Sequence, residues 1–345
     1  MLAGRRVLVI HNPTAGRGRA DAVERAIMTG LERLGVEAEL RRTGGPDDVQ
    51  AWAAAAGDER FECVLVAGGD GTVAAAASSI LKAGHGLPLG IVPAGTGNGL
   101  ARVLRIPIDP RKAVEALGSG GLVQLDVMRR VGGGTMALVF IGAGLDAEVI
   151  RDADRDAKAR FGFIAYLAAG VKNLWRRRNH RIRLTLDDAS ETLDAHTVAL
   201  LNAGDLELRG MRMGPDVDPH DGLVDVAILR DPGLWRSVAA VLRLVGGRRG
   251  AGELRRARRV LIEAEPPLPV HADGEPDGST PLEVEILPGA LAVIAASSYP
   301  FLRRDQRRSC DKGSEAEKGG EAAPGSGTDR VNGVGRPRRA RPGRD

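Results

Sequence analysis

At 345 residues, with 43% hydrophobic, 27% charged and 3% aromatic content, the chain has the length for two cored domains and reads as soluble and globular. No stretch reaches the roughly 18 uncharged apolar residues that suggest a membrane span, Met1–Val9 lacks the apolar core and cleavage site of a signal peptide, and the two distant cysteines, Cys63 and Cys310, leave no disulfide framework or zinc site, which fits a reducing cytoplasm. The net charge is +4, but residues 303–345 carry 12 Lys/Arg and 7 Asp/Glu; a tail at +5 leaves the body at −1, which with so few aromatics for base stacking speaks against nucleic acid as a partner.

The first stretch alternates strand and helix. Arg5–His11 reads as a strand and Ala20–Leu34 as a helix, with Val23, Ile27, Leu31 and Leu34 on one face. Val36–Arg42, Phe61–Ala67 and Leu87–Val92 read as further strands. Pro46–Ala56, Thr72–Ala83 and the short Gly97–Leu104 read as helices. This alternation predicts a parallel sheet covered by helices on both faces, with ligands held beyond the carboxyl ends of the strands. Three glycine-rich segments follow strands: Asn12–Gly18, Gly68–Thr72 and Pro93–Asn98. A parallel sheet brings them to one edge, where they can surround one nucleotide; ordinary turns are also glycine-rich.

Gly68-Gly69-Asp70-Gly71-Thr72 is the most telling of the three. A helix start offers unpaired N–H groups and a partial positive charge to phosphate, and glycines let the backbone approach it. Asp70 would repel a bare phosphate. It makes sense if a metal bridges it to the phosphate, or if it accepts a proton from an attacking hydroxyl, so the loop points to phosphoryl transfer. Neither a Walker lysine nor the spaced dinucleotide fingerprint is present.

From about Leu122 to Ala296 the pattern is mostly strand: Val123–Arg130, Met136–Ile141, Ile182–Leu186, Thr197–Asn202, Val224–Leu229, Val260–Glu265, Leu282–Ile286 and Leu291–Ala295. Many short strands with turn signals predict an antiparallel sandwich or barrel. Two helices interrupt it. Phe161–Trp175 runs into Arg176–Arg178, and Leu234–Leu244 is followed by arginines 248, 249, 255, 256, 258 and 259. Apolar helices ending in arginines suit an anionic membrane surface, and equally suit packed helices with solvated basic ends. Beyond Arg303 the Gly-, Glu-, Ser-, Pro- and Arg-rich tail reads as disordered.

Two acidic segments stand out in this second part. Asp216–Gly222 is turn-like and rich in oxygen ligands suited to Mg²⁺ or Ca²⁺, without EF-hand spacing; an Asp-Pro turn explains it as well. Asp273-Gly274-Glu275 ends an apolar run; the pair suits a nucleophile-orienting or metal-holding site, and also a surface hairpin.

In order and spacing these segments resemble the diacylglycerol kinase catalytic-domain family, which includes soluble bacterial lipid kinases and the sphingosine and ceramide kinases. The match rests on Asn12-Pro13-x-x-Gly16, Gly68–Thr72, Pro93-x-Gly95-Thr96-x-Asn98-x-x-Ala101-Arg102, Gly142-x-Gly144-x-Asp146-Ala147, Asp221-Gly222-Leu223-Val224-Asp225-Val226 and Asp273-Gly274-Glu275-Pro276. The resemblance implies an N-terminal α/β nucleotide-binding domain over 1–120, a C-terminal antiparallel β-sandwich domain over 121–302, an active site in the cleft between them, and the tail from 303. It implies ATP and Mg²⁺ as cofactors. Asn12, Thr43, Gly68, Gly69, Asp70, Gly71, Thr72, Val73, Ala74, Gly95, Thr96 and Asn98 would line the nucleotide site. Asp70, Asp273 and Glu275 would be catalytic, with the proton acceptor in the latter pair. Asp126 would help shape the acceptor site. Asp218, Asp221 and Leu223 would bind a second, structural Mg²⁺.

The implied reaction is γ-phosphate transfer from Mg·ATP to a lipid hydroxyl, most simply that of diacylglycerol. A sphingoid base, another lipid alcohol, a soluble acceptor such as NAD, and a non-catalytic nucleotide- or lipid-binding regulator are the alternatives. The sequence departs from the common pattern at Asn98-Gly99-Leu100 and Leu206–Arg209, both expected near the acceptor. The expected setting is the cytoplasm, with reversible docking on the inner membrane surface and room for a homodimer.

Overall fold

Val7–Ile10, Cys63–Ala67 and Leu89–Val92 are apolar without alternation, which demands strands covered on both faces. The computed structural model describes residues 1–15, 18–144, 179–204, 206–208, 211–213, 217–230 and 253–302, and these runs are buried strands within it. The N-terminal part runs β1 (Arg6–His11), α1 (Ala20–Arg33), β2 (Glu37–Arg42), α2 (Pro46–Ala55), β3 (Cys63–Gly68), α3 (Asp70–Ala83), β4 (Leu89–Pro93), α4 (Gly99–Val103) and α5 (Pro110–Ser119). Sequence reading did not place α5. Its start signals are ordinary ones: Pro110 sits in the first turn and the Asp109 carboxylate accepts from Lys112 N at 3.1 Å. α3 begins at Asp70, two residues before the expected Thr72, so Asp70 lies in the first helical turn and not in the loop.

The chain continues through β5 (Gly121–Arg130), β6 (Met136–Ala137), β7 (Phe140–Ala143), β8 (His180–Leu186), β9 (Ala189–Ala195), β10 (Thr197–Leu201), β11 (Leu206–Leu208), β12 (Met211–Met213), β13 (Val224–Leu229), β14 (Glu253–Ala257), β15 (Arg259–Glu265), β16 (Pro269–Ala272), β17 (Glu275–Ser279) and β18 (Leu282–Ala295). Strands β2-β1-β3-β4 are mutually parallel and lead into β18-β15-β8-β9, with β5 also on β18. A second, six-stranded sheet has the order β14-β13-β10-β7-β16-β17, and its pairings are antiparallel.

Two cores follow from this layering. One lies around the parallel strands and their helices, and includes Leu8, Ile10, Leu65, Ile27, Leu31 and Leu117. The other is a sandwich core. Ile182, Leu184, Val260, Ile262 and Val284 of the first sheet pack there with Val198, Leu200, Val226 and Val270 of the second. Strands β5 and β18 feed both cores: Val123 and Val293 go to one, Met128 and Val284 to the other.

Two expected strand divisions change. The single strand Met136–Ile141 is two strands, because Leu138 and Val139 turn their N–H groups to the Asp273 carboxylate. The two strands Leu282–Ile286 and Leu291–Ala295 are one strand with an irregularity between Leu287 and Leu291 in its pairing with β5. Pro288-Gly289 reads as a loop in sequence but is absorbed as a bulge. Strands β9, β11, β12, β14, β16 and β17 are additional; the exposed, polar positions of β9 and β17 carry little apolar periodicity. The expected helices Phe161–Trp175 and Leu234–Leu244 lie outside the described residues, as do Gly16, Asp146, Asp216, Arg176–Arg178, Arg248, Arg249 and the tail.

Candidate active site

Because β1 to β4 run parallel, the segments after them emerge at one edge of the sheet. Asn12 follows β1 and ties this segment to the next: its N–H donates to Ala67 O at 2.9 Å and its Nδ2 to Thr72 Oγ1 at 3.0 Å. Thr43 follows β2, is buried, and donates its N–H to His11 O at 2.9 Å. Gly68 is required by packing, since a Cβ there would stand 2.7 Å from Thr72 Cβ. A Cβ on Gly95 would stand 2.5 Å from Gly69 Cα, so the backbones after β3 and β4 touch. Asn98 adopts left-handed backbone, φ 52°. Its side chain accepts from Gly95 N at 2.9 Å and donates to Gly95 O at 2.7 Å, closing the loop on itself. Gly71 and Thr96 are exposed at this edge, and Thr72 and Ala74 are half-buried. Val73 lies in the core at 4% exposure, so only its main chain can face a ligand.

Asp70 sits in the middle of this arrangement. Its Oδ1 accepts from Gly99 N at 2.6 Å, and a Cβ on Gly97 would meet its Oδ2 at 2.6 Å. Burial pushes its pKa up. The N–H groups of Gly99 and Asn98 and the charge of Arg102 oppose that shift.

Acids from a distant stretch of sequence meet this edge. Asp273, at the turn between β16 and β17, has φ 47°. Its Oδ2 accepts from Leu138 N at 2.7 Å, and its Oδ1 from Val139 N and Phe140 N, each at 2.9 Å. Burial nevertheless pushes its pKa up to about 6, and the negative charge of Asp70 adds to the rise. The two carboxylates therefore feel one another. Glu275 is exposed, and its Oε1 lies 3.7 Å from the position of a Cβ on Gly71. Glu275 thus faces the glycine loop, while the Asp273 oxygens are taken up by the peptide.

The remaining expected residues form a separate cluster. Asp126, on β5 and 2% exposed, accepts from Gly222 N at 2.6 Å and from Gly289 N at 2.7 Å. Its carboxylate therefore pins the loop that carries Asp218, Asp221 and Leu223 and the bulge of β18. Burial pushes its pKa up, and these two N–H groups oppose it. Asp218 Oδ1 accepts from His220 N at 3.1 Å, and Asp221 Oδ1 from Leu223 N at 3.0 Å. Among the described residues, no three His, Cys, Asp or Glu side chains converge as metal ligands. Two carboxylates and a main-chain oxygen are still a hard donor set of the kind Mg²⁺ takes, so the chemistry of this loop fits that ion.

Asn202 was not anticipated and joins the two clusters. It is 1% exposed. Its Nδ2 donates to Asp126 O at 2.8 Å and to Leu138 O at 2.9 Å, and its N–H to Val139 O at 2.9 Å. Nothing in the local sequence marks it beyond its place at a strand end. Three arginines of the 255–259 stretch are held within the protein: Arg255 pairs with Glu191, Arg256 with Asp225 at 2.9 Å and Asp221 at 3.5 Å, and Arg259 with Glu283. Among the described residues, no helix is long and apolar enough to cross a membrane.

Comparison with known proteins agrees with the fold. Residues 6–130 match the model of the diacylglycerol kinase catalytic domain, and residues 139–295 that of the YegS C-terminal NAD kinase beta sandwich-like domain. The chain is 29% identical over 280 residues to the "Probable lipid kinase YegS-like" of Stenotrophomonas maltophilia, covering 78% of this chain and 90% of that one. It is 26% identical over 307 residues to the "Uncharacterized protein sll0036" of Synechocystis, covering 83% and 69%. The crystal structure of a diacylglycerol kinase from Bacillus anthracis superposes with a TM-score of 0.72 at 25% identity, over 84% of this chain and 97% of that one.

Proposed function

We propose that this chain, which carries a diacylglycerol kinase catalytic domain at residues 6–130 and a YegS-type C-terminal domain at 139–295, transfers the γ-phosphate of Mg·ATP to the hydroxyl of diacylglycerol, giving phosphatidic acid. The observation that carries this reading is the approach of Glu275 to Gly71, next to Asp70, from the turn whose Asp273 carboxyl lies within the electrostatic reach of Asp70. Acids some two hundred residues apart in sequence share one edge with a helix start suited to phosphate.

In this reading the main chain of Gly68–Ala74, with Asn12, Thr43, Gly95, Thr96 and Asn98, lines the nucleotide. Asp70 would position the metal-bound phosphates, and Mg²⁺, when bound, would neutralise charge on the phosphoryl oxygens. The lipid hydroxyl oxygen forms a bond to the γ-phosphorus, the bond to the β–γ bridging oxygen breaks, and ADP departs. The hydroxyl proton passes to Glu275, whose carboxylate is exposed toward the loop. Asp273 acts as the positioning residue: its three peptide hydrogen bonds fix the turn that presents Glu275. Asp218, Asp221 and Leu223 would hold a second Mg²⁺ as a structural anchor, with Asp126 beneath the loop. The acceptor resides in a bilayer, so the protein works at the cytoplasmic face of a membrane and docks reversibly. A sphingoid base or another lipid alcohol is the competing acceptor.

The test is transfer of label from γ-labelled ATP with Mg²⁺ to diacylglycerol, sphingosine, ceramide and an isoprenoid alcohol, with NAD as a soluble control. Label should enter diacylglycerol. Asp70→Asn and Glu275→Gln should each lower turnover by about 10²-fold or more, the range for losing a positioned acid–base group. Label in a different lipid would change the substrate. Label only in NAD, or none in any acceptor, would overturn the proposal.

A further inference from the structure

The glycine loop Gly68–Ala74 contains no lysine or arginine. A triphosphate brought to it therefore needs a cation from elsewhere, beyond its own metal and the helix N-terminus. Arg102, on α4, stands beside Asp70. Its Nε donates to Gly97 O at 2.9 Å, and its N–H to Asn98 O at 3.1 Å. Gly97 is itself pressed against the Asp70 carboxylate, and Gly99 of the same loop donates to that carboxylate. The guanidinium is thus anchored on the segment that holds Asp70, and Asp70 feels its charge.

Among the described residues, Arg102 also forms no ion pair, unlike several other arginines. Arg41, Arg42, Arg129, Arg130 and Arg256 each pair with a carboxylate. Among the described residues, no carboxylate lies within ion-pair range of Arg102. Its side chain is half-buried and engages one acceptor through one of five N–H donors. A guanidinium oriented by a fixed Nε contact, with no ion pair among the described residues and beside an acid at a phosphate-type loop, is organised for an anion.

We propose that Arg102 is the phosphate-binding cation of this site: Nε fixes the group to Gly97, and the η-amino groups take oxygens of the nucleotide triphosphate and stabilise its charge during transfer. This rests on the reading of the site as one for Mg·ATP. The experiment compares Arg102→Gln and Arg102→Lys with the wild type in three measurements: calorimetric binding of Mg·ATP, binding of adenosine, and kcat for transfer to lipid. Arg102→Gln keeps an amide donor but loses the charge. It should weaken Mg·ATP about tenfold or more, leave adenosine unchanged and lower kcat about 10²-fold. Arg102→Lys keeps the charge without the planar fork and should fall between. Wild-type Mg·ATP affinity and kcat in Arg102→Gln would overturn the proposal, and so would an equal loss for ATP and adenosine, which marks a packing role. Binding needs no acceptor. Loss of ATP in Arg102→Gln, with no lipid labelled by the wild type, would retain Arg102 and remove only the lipid reading. A wild type that does not bind Mg·ATP would overturn both.

Discussion

Asp273 accepts three peptide N–H groups, an arrangement that ordinarily favours the charged carboxylate, yet burial and the neighbouring Asp70 carry its pKa up to about 6. A carboxyl raised in this way binds its proton more tightly folded than unfolded. Its contribution to stability is full below the unfolded value of about 3.9 and is lost as pH rises through about 6. Burial moves Asp70 in the same direction. Denaturant unfolding followed from pH 4 to 6.5 should therefore show a smaller fall in stability for Asp70→Asn than for the wild type. The variant removes one raised group and relieves the other. Parallel curves for the two proteins would mean that the carboxylates do not sense each other.

Strands β5 and β18 bear the structural connection between the two cores, and Asp126 is the side chain that lets β18 do so. The bulge at Pro288-Gly289 breaks the pairing with β5, and the freed Gly289 N–H goes to the Asp126 carboxylate. The other oxygen of that carboxylate holds Gly222. Asp126→Ala leaves the buried Gly222 N–H without an acceptor, at a cost of about 1–3 kcal/mol. Asp126→Asn retains one oxygen and should cost less. Urea midpoints for the two variants give this order directly. A change under about 0.5 kcal/mol in Asp126→Ala would show that the loop and the bulge hold without it.

At the scale of the whole molecule, the catalytic-domain match at residues 6–130 is not a self-sufficient sheet. β5 pairs with β18 and with the two-residue β6, and β18 also lines β4 through Val293 and Leu89. A fragment of residues 1–130 leaves Val123, Leu125 and Val127 without Leu291, Val293 and Ile294, their companions in the same core. It should give no cooperative unfolding transition by circular dichroism, whereas residues 1–302 should unfold cooperatively. A folded, cooperative 1–130 fragment would overturn this dependence. Charge at this scale also has a local explanation. Several arginines that look in sequence like a basic patch for lipid are partners of Glu191, Asp225 and Glu283 across neighbouring strands.

The alternating α/β half, the glycine segments after its strands and the acidic motifs shared with lipid kinases are legible from residue order alone. Strand periodicity, the glycine turns and motif order are local properties, readable without neighbours. It takes the packed molecule to show that Asp70 turns to the segment after β4 while Glu275 approaches Gly71, that Asp273 is bound up by peptide N–H groups, and that Asn202 and Asp126 tie the Asp218–Leu223 loop to the backbone beside Asp273. Only it united Leu282–Ile286 and Leu291–Ala295 into one strand. These outcomes depend on which distant backbone groups are left needing a partner once the chain is packed, and no local window of residues carries that information.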